Sequence, residues 1–389
     1  TTGNDTLTIL TDTSSVIAGA GTDIAVFTGD YADYTFSQSD SYVSLLTHNT
    51  TEQVVSLYGV EQLQFDDATA SLTTTTGGEF PVNTYTTDSQ DLAAITALND
   101  GGFVITWTSQ NQDGDGFGVY AQKYDTNGDT VGSEFLVNTN TDEDQRYQSI
   151  TALNDGGFVI TWHGYSRVDG NLHTNVYAKI YDATSGLVKD EFLVSTYDTL
   201  GGYQQLPAIT TLNNGGFVIT WTATKPNLHL EPQLAPQDGD NDGIYAQIYD
   251  ASGNAVGSEF LVNTTITNSQ RSSTITALND GGFVITWQSY DQDDGGHGVY
   301  AQRYDTNGDT VGSEFLVNSY TGIAVPTSWS DYTNVGPAIT VSDKKLPDIT
   351  ALNDDGFVIT WQSTGQDGDG GSIHAQIYDA NGDKVGAEF

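Results

Sequence analysis

Four short loops carry carboxylates at a spacing that could do chemistry: "NQDGDGFG", "PQDGDNDG", "DQDDGGHG" and "GQDGDGGS", beginning at Asn111, Pro236, Asp291 and Gly365. Their acids are Asp113 and Asp115, then Asp238, Asp240 and Asp242, then Asp291, Asp293 and Asp294, and finally Asp367 and Asp369. Carboxylates two residues apart on a glycine-rich loop suit a hard cation, because calcium takes six to eight oxygen ligands and the glycines let backbone carbonyls join them. Two or three carboxylates per loop leave carbonyls and water to complete the shell, so the expected affinity is modest, roughly 10⁻⁴ to 10⁻³ M. The bland alternative is that Asp-Gly is a common turn and the acids are solvated. Against it, the fifth loop of the set, "SRVDGNLHTN", keeps one acid, Asp169, yet its flanking strands are intact.

The elements that hold these loops repeat. The phrase "ITALNDGGFVITW" ends at Trp107, and close copies end at Trp162, Trp221, Trp287 and Trp361. Each copy continues through the acidic loop to "VYAQ.YD", a turn such as "TNGD", and "EFLVN". β-branched alternation between Asn/Asp/Gly turns predicts four short antiparallel strands per unit and almost no helix. Phe103, Ile105 and Trp107 fall on one face of their strand, Val104 and Thr106 on the other. A small sheet apolar on both faces must stack against its neighbours. The expectation is an all-β fold: a β-propeller of five four-stranded blades over residues 76–389, its repeated Trp and Tyr serving as packing. Glu79–Asn83, "EFPVN", matches the strand that ends each unit and could close the ring, while Glu388 and Phe389 read as a surplus fragment. A linear array of β modules is the alternative.

Composition bounds the partners. Eleven Lys plus Arg stand against 51 Asp plus Glu, a net charge of −40, which argues against nucleic acid and anionic membranes. With 37% hydrophobic and 11% aromatic residues the chain should fold rather than remain an acidic coil. There is no Cys for disulfides or thiolate sites, and no apolar run long enough to cross a membrane. The "DTNGD" segments at Asp125 and Asp305, with "DANGD" at Asp379, read as hairpin turns, since no Glu stands where an EF-hand needs one. The six His have no zinc-ligand spacing, and no nucleophile elbow or phosphate loop is present, so a non-enzyme is expected.

Residues 1–75 follow a different rhythm. Leu7, Val16 and Ala25 fall nine apart, as do Asp5, Ser14 and Asp23, a worn form of the nonapeptide that builds a calcium-binding parallel β-roll. Asp5 and Asp23 are the weaker metal candidates there. "TGNDTLTI", "GAGTDIAVF", "FTGDYADYTF" and "YGVEQLQFDD" resemble segments of secreted haemolysin-type calcium-binding (RTX) proteins. The later "ALNDGGFVITW", "GVYAQ.YD..G" and "EFLVN" are similar to repeats of large RTX-type bacterial surface proteins and adhesins, and the acidic loops resemble the calcium loops of integrin-type propellers. The resemblance implies type I export, calcium-assisted folding outside the cell, and a place at the bacterial surface; the chain then reads as a piece of a longer protein. The expected function is a non-catalytic, calcium-binding adhesive module. The alternative is a lectin-like propeller binding extracellular glycans through rim insertions, the inserted segment with Trp329 and Tyr332 foremost.

Overall fold

The computed structural model describes residues 6–9, 15–17, 23–38, 44–51, 54–58, 60, 62–71, 80–168, 171–196, 203–224, 237, 241–292, 296–319, 343–364, 366–367 and 370–389. The fold is all-β, with one short 3₁₀ turn at Tyr31–Asp33 among the described residues. Two compact units divide the chain, Thr1–Pro81 and Val82–Phe389. No described helix is long and apolar enough to cross a membrane.

In the first unit, Thr6–Thr8 pairs in parallel with Ile24–Val26, which pairs in parallel with Gln62–Gln64, and Thr69–Ser71 closes that sheet. Ser15–Ile17 lies in a second sheet, parallel to Val54–Tyr58. Leu7 thus stands beside Ala25, two nine-residue steps on, while the intervening step goes to the other sheet. Ala25, Leu46, Val55, Leu57 and Leu63 fill the core, and Phe27 stacks on Phe65.

The second unit turns each repeat into a four-stranded antiparallel meander. The first consists of Gln90–Ala97, Phe103–Gln110, Phe117–Tyr124 and Thr130–Leu136; the second of Gln145–Ala152, Phe158–Val168, Asn171–Tyr181 and Leu187–Leu193. The third comprises Tyr203–Thr211, Phe217–Thr224, Gly243–Tyr249 and Ala255–Leu261, and the fourth Gln270–Ala277, Phe283–Tyr290, His297–Tyr304 and Thr310–Leu316. The fifth runs through Lys344–Ala351, Phe357–Thr364, Gly371–Tyr378 and Lys384–Val385. Local chemistry sets the turns. In "LNDGG" the first glycine takes φ of +86° at Gly101 and +92° at Gly156, which costs a glycine little, and Asp100 Oδ1 accepts from the Gly102 N–H at 2.9 Å. The fifth copy reads "NDDG", and Asp355 takes the same left-handed place at +68°.

Meanders stack face to face in chain order. Val104, Val119 and Ala121 of the first pack on Phe158, Ile160 and Trp162 of the second, and the same residue positions form the next three contacts. Trp162, Trp221, Trp287 and Trp361 are fully buried; Trp162, Trp221 and Trp361 stack on the cross-strand rings Tyr177, Tyr245 and His374, and Trp287 stands in register with Tyr300. Asn side chains of the turns stitch the stack together: Asn99 Nδ2 donates to the Leu153 carbonyl, Asn154 to Leu212 and Asn213 to Leu278, each at 3.2 Å, and Asn279 to Leu352 at 3.4 Å.

Glu388 and Phe389 are not surplus. Phe389 exchanges backbone hydrogen bonds with Ala375 at 2.8 and 3.1 Å, so they finish the fourth strand of the fifth meander. The unmatched fragment lies at the other end. Val82 receives the Tyr124 hydroxyl on its carbonyl at 3.4 Å, as Val262 receives Tyr304, but no described meander of the second unit precedes Val82.

Candidate functional site

Each acidic loop is anchored by a pair that the sequence reading passed over. The Gln of each loop reaches the Glu of "EF" in its own meander: Gln112 donates to Glu134 Oε1 at 2.6 Å, Gln237 to Glu259 at 2.7 Å, Gln292 to Glu314 at 2.6 Å, and Gln366 to Glu388. The other carboxylate oxygen accepts a backbone N–H from the segment leading into the meander, Thr84 on Glu134, Thr196 on Glu259, Thr264 on Glu314 and Ser319 on Glu388. Glu191 keeps this second bond, to Thr139, in the meander whose loop has no Gln. The signal was in the sequence as a constant separation of 22 residues between Gln and Glu in four loops.

This anchoring leaves oxygens without donors. In each of the four loops Oε1 of the Gln (Gln112, Gln237, Gln292, Gln366) is buried with no hydrogen-bond partner among the described residues. In the first loop Asp113 adds another, because its Oδ1 is buried and unpartnered while Oδ2 accepts from Asn138 Nδ2 at 3.3 Å. Burial pushes the Asp113 carboxyl above the usual range despite the Asn138 bond. A buried acceptor lacking a donor is costly, about 1–3 kcal/mol, unless water or a cation meets it.

The remaining sequence candidates separate. Asp115 is exposed, and its Oδ2 accepts the Glu143 N–H at 3.2 Å. Asp242 is 2% exposed and paired with the Arg271 guanidinium from the next meander, so its carboxylate serves the stack. Asp291 is exposed and takes φ of +58°, the place of Asn111 in the first loop, and is a turn residue. Asp367 is exposed at the rim, and Asp23 is fully buried in the first unit. Asp5, Asp238, Asp240, Asp293, Asp294, Asp369, Trp329 and Tyr332 lie outside the described residues. No group of three or more His, Cys, Asp or Glu stands ready to hold a metal ion among the described residues. Asp125 is accounted for as a turn, its Oδ1 accepting from the N–H of Asn127 and Asp129 at 2.8 and 3.0 Å, and Asp305 and Asp379 repeat that geometry.

Two acids absent from the sequence candidates contact these loops from the following repeat. Asp144 Oδ1 accepts the Phe117 N–H at 3.2 Å, and Asp343 Oδ1 accepts both the His297 N–H and its ring Nδ1 at 3.3 and 3.1 Å. Burial acts to raise the Asp343 carboxyl, but hydrogen bonds from Lys345 and His297 outweigh it and leave it below the usual range.

No family model matches the chain, and no curated protein matches it. Among solved structures, it is similar to a protein of unknown function from Dyadobacter fermentans at 12% identity and TM-score 0.48, covering 75% of this chain and 79% of that one. A xylan β-1,4-xylosidase from Bacillus halodurans aligns at 11% identity and TM-score 0.40, with 75% of this chain covering 53% of the enzyme. The Hadza microbial sialidase Hz136 aligns at 9% identity and TM-score 0.44, over 89% and 65% of the two chains.

Proposed function

We propose that the chain is a non-catalytic, calcium-binding adhesive module of a secreted bacterial surface protein, its five meanders acting as the blades of a propeller-type array. The observation that carries this reading is the row of buried acceptor oxygens at the base of the acidic loops, Gln Oε1 in four of them and Asp113 Oδ1 in the first. Neutral amide and carboxylate oxygens are the donors a hard cation takes, and an apolar ligand would leave them unsatisfied. Extracellular calcium would also soften the self-repulsion of a chain at −40. In this role the loop acids beyond Asp113 attract the ion, and the Gln–Glu anchor fixes the loop around it.

The test is calorimetric titration of the full chain with calcium, alongside thermal unfolding in chelator and in millimolar calcium. At affinities of roughly 10⁻⁴ to 10⁻³ M, each site adds about 0.4–1.4 kcal/mol in 1 mM calcium. Asp113→Asn should remove one site and lose its share of the calcium effect, yet be no less stable in chelator, because it deletes a charge that burial disfavours. Flat titration heats with no change in midpoint would sink the calcium reading; glycan-array binding without calcium would then move the function to carbohydrate recognition at the rim.

A further inference from the structure

In the fifth meander the strand after the acidic loop departs from the repeat at two positions, and the two departures meet. His374 stands across from Trp361, where Tyr120, Tyr177, Tyr245 and Tyr300 stand across from the other four Trp. Ser372 stands across from Ser363, where the first, third and fourth meanders have Gly118, Gly243 and Gly298 and the second has Asn175. His374 Nε2 lies 2.8 Å from Ser372 Oγ, and the ring stacks on Trp361. The serine changes what the loop can do. A Cβ on Gly118 would come within 2.5 Å of Asp113 Oδ2, so the first loop lays its carboxylate over a glycine that the fifth lacks. Asp367, which follows its anchoring Gln as Asp113 does, is exposed where Asp113 is half-buried.

What the fifth meander offers instead is an imidazole. With Nε2 engaged by Ser372, Nδ1 faces Glu388 Oε1 at 3.8 Å, too far for a hydrogen bond. Both side chains are largely buried, His374 15% and Glu388 6% exposed. Burial acts to raise the Glu388 carboxyl, but hydrogen bonds from Ser319 and Gln366 outweigh it and hold it below the usual range, so the group is a carboxylate. Gln366, which donates to Glu388, leaves its own Oε1 buried with no partner among the described residues. When the imidazole donates its Nε2–H to Ser372, whose own proton has the Ser363 carbonyl at 3.5 Å, Nδ1 turns a lone pair toward an ionised oxygen. Two acceptors facing each other repel unless a cation lies between them.

We propose that the fifth meander binds a divalent metal of the zinc class through His374 Nδ1 and Glu388 Oε1, with Gln366 Oε1 as a third donor and water completing the shell. Bonds of about 2.0–2.1 Å to nitrogen and about 2.0–2.2 Å to oxygen together span at most about 4.3 Å, so one ion fits between atoms 3.8 Å apart after a small closing movement. Imidazole suits zinc, copper or nickel, whereas calcium takes oxygen ligands. Ser372 is a positioning residue: it holds the ring's other nitrogen, as the partners of metal-bound histidine do. This site shares Gln366 with the calcium reading of the loops but depends on His374 and Glu388, so either can fail without the other.

Zinc titration of the full chain, stripped with chelator and then held in excess calcium so that exposed carboxylates are occupied, tests this. Wild type should bind zinc at a site that His374→Tyr weakens by about tenfold or more. That substitution restores the residue of the other four meanders, so circular dichroism should not change. Ser372→Gly, also a residue the repeat uses, should weaken zinc by about tenfold without abolishing it. Cobalt(II) used as the probe should give paramagnetically shifted imidazole proton resonances that His374→Tyr removes. Equal zinc affinity in wild type and His374→Tyr overturns the inference, and so does a cobalt spectrum that the substitution leaves unchanged. Zinc bound at this site beside flat calcium heats would sustain it and sink only the calcium reading.

Discussion

The pentapeptide "FVITW" occurs five times without change, yet its fate differs between the middle of the array and its ends. In the third and fourth meanders Phe217, Ile219, Phe283 and Ile285 are 0% exposed; in the first, Phe103 and Ile105 keep part of their surface in water. Nothing in the strand itself accounts for this. A meander of four short strands has no interior of its own, so burial belongs to the pair of meanders. Stability along the array should therefore vary by position even where the sequence does not.

The largest effect expected sets Ile244 against Ile373. Ile244→Ala removes a sealed side chain from between the third and fourth meanders and should cost about 2–5 kcal/mol in denaturant unfolding. Ile373→Ala, at the matching place in the last meander, should stay within about 0.5 kcal/mol. Equal losses at both would show that the end face is covered after all.

His163 sharpens the comparison from inside the second meander. It stands in the sealed forward face where the first and third meanders have Thr108 and Thr222, with Nδ1 accepting the Leu206 N–H at 3.3 Å and Nε2 buried. Burial, helped by the charge of Arg146, pulls its pKa down to about 4. Tyr147 and Tyr165 line the ring. Because the folded pKa lies below the unfolded value of 6.5, the unfolded chain binds the extra proton between them. The stability due to a neutral His163 is whole above pH 6.5 and falls as pH drops toward 4, by at most about 3 kcal/mol. His163→Thr should flatten that part of the pH profile relative to wild type; an unchanged slope would mean the ring is solvated.

The smallest effect concerns the turn asparagines. Asn213→Ala loses a bond to the Leu278 carbonyl and should cost about 1 kcal/mol, whereas Asn353→Ala, exposed and donating to nothing among the described residues, should cost nothing measurable. Thermal midpoints of the two variants side by side decide it.

Much of this was legible in the chain. Period-two alternation placed Phe103, Ile105 and Trp107 together, and Val104 and Thr106 opposite, because strand geometry fixes side-chain direction from sequence alone. "NDGG" and "DTNGD" declared their turns, since positive φ and Asx bonding are local matters. Within the acidic loops the reading was less complete. Asp242 has the spacing of a ligand, but its carboxylate is held by Arg271 from the next repeat; Gln112 carries no local signal, because its partner Glu134 lies beyond an intervening hairpin. Asp144 and Asp343 reach the loops from the following unit, and no local pattern announces such a contact.

The sequence by itself determined the strands, their turns, their two apolar faces and the acidic character of the rim, all of which follow from backbone geometry and residue chemistry over a few positions. Tertiary structure decided which faces are sealed, which carboxylates are neutralised by a neighbouring meander, and which described oxygens stay buried without a described donor. Those depend on where one repeat meets the next. Five copies of one phrase cannot carry that information, because contact between repeats is a property of their neighbours in space.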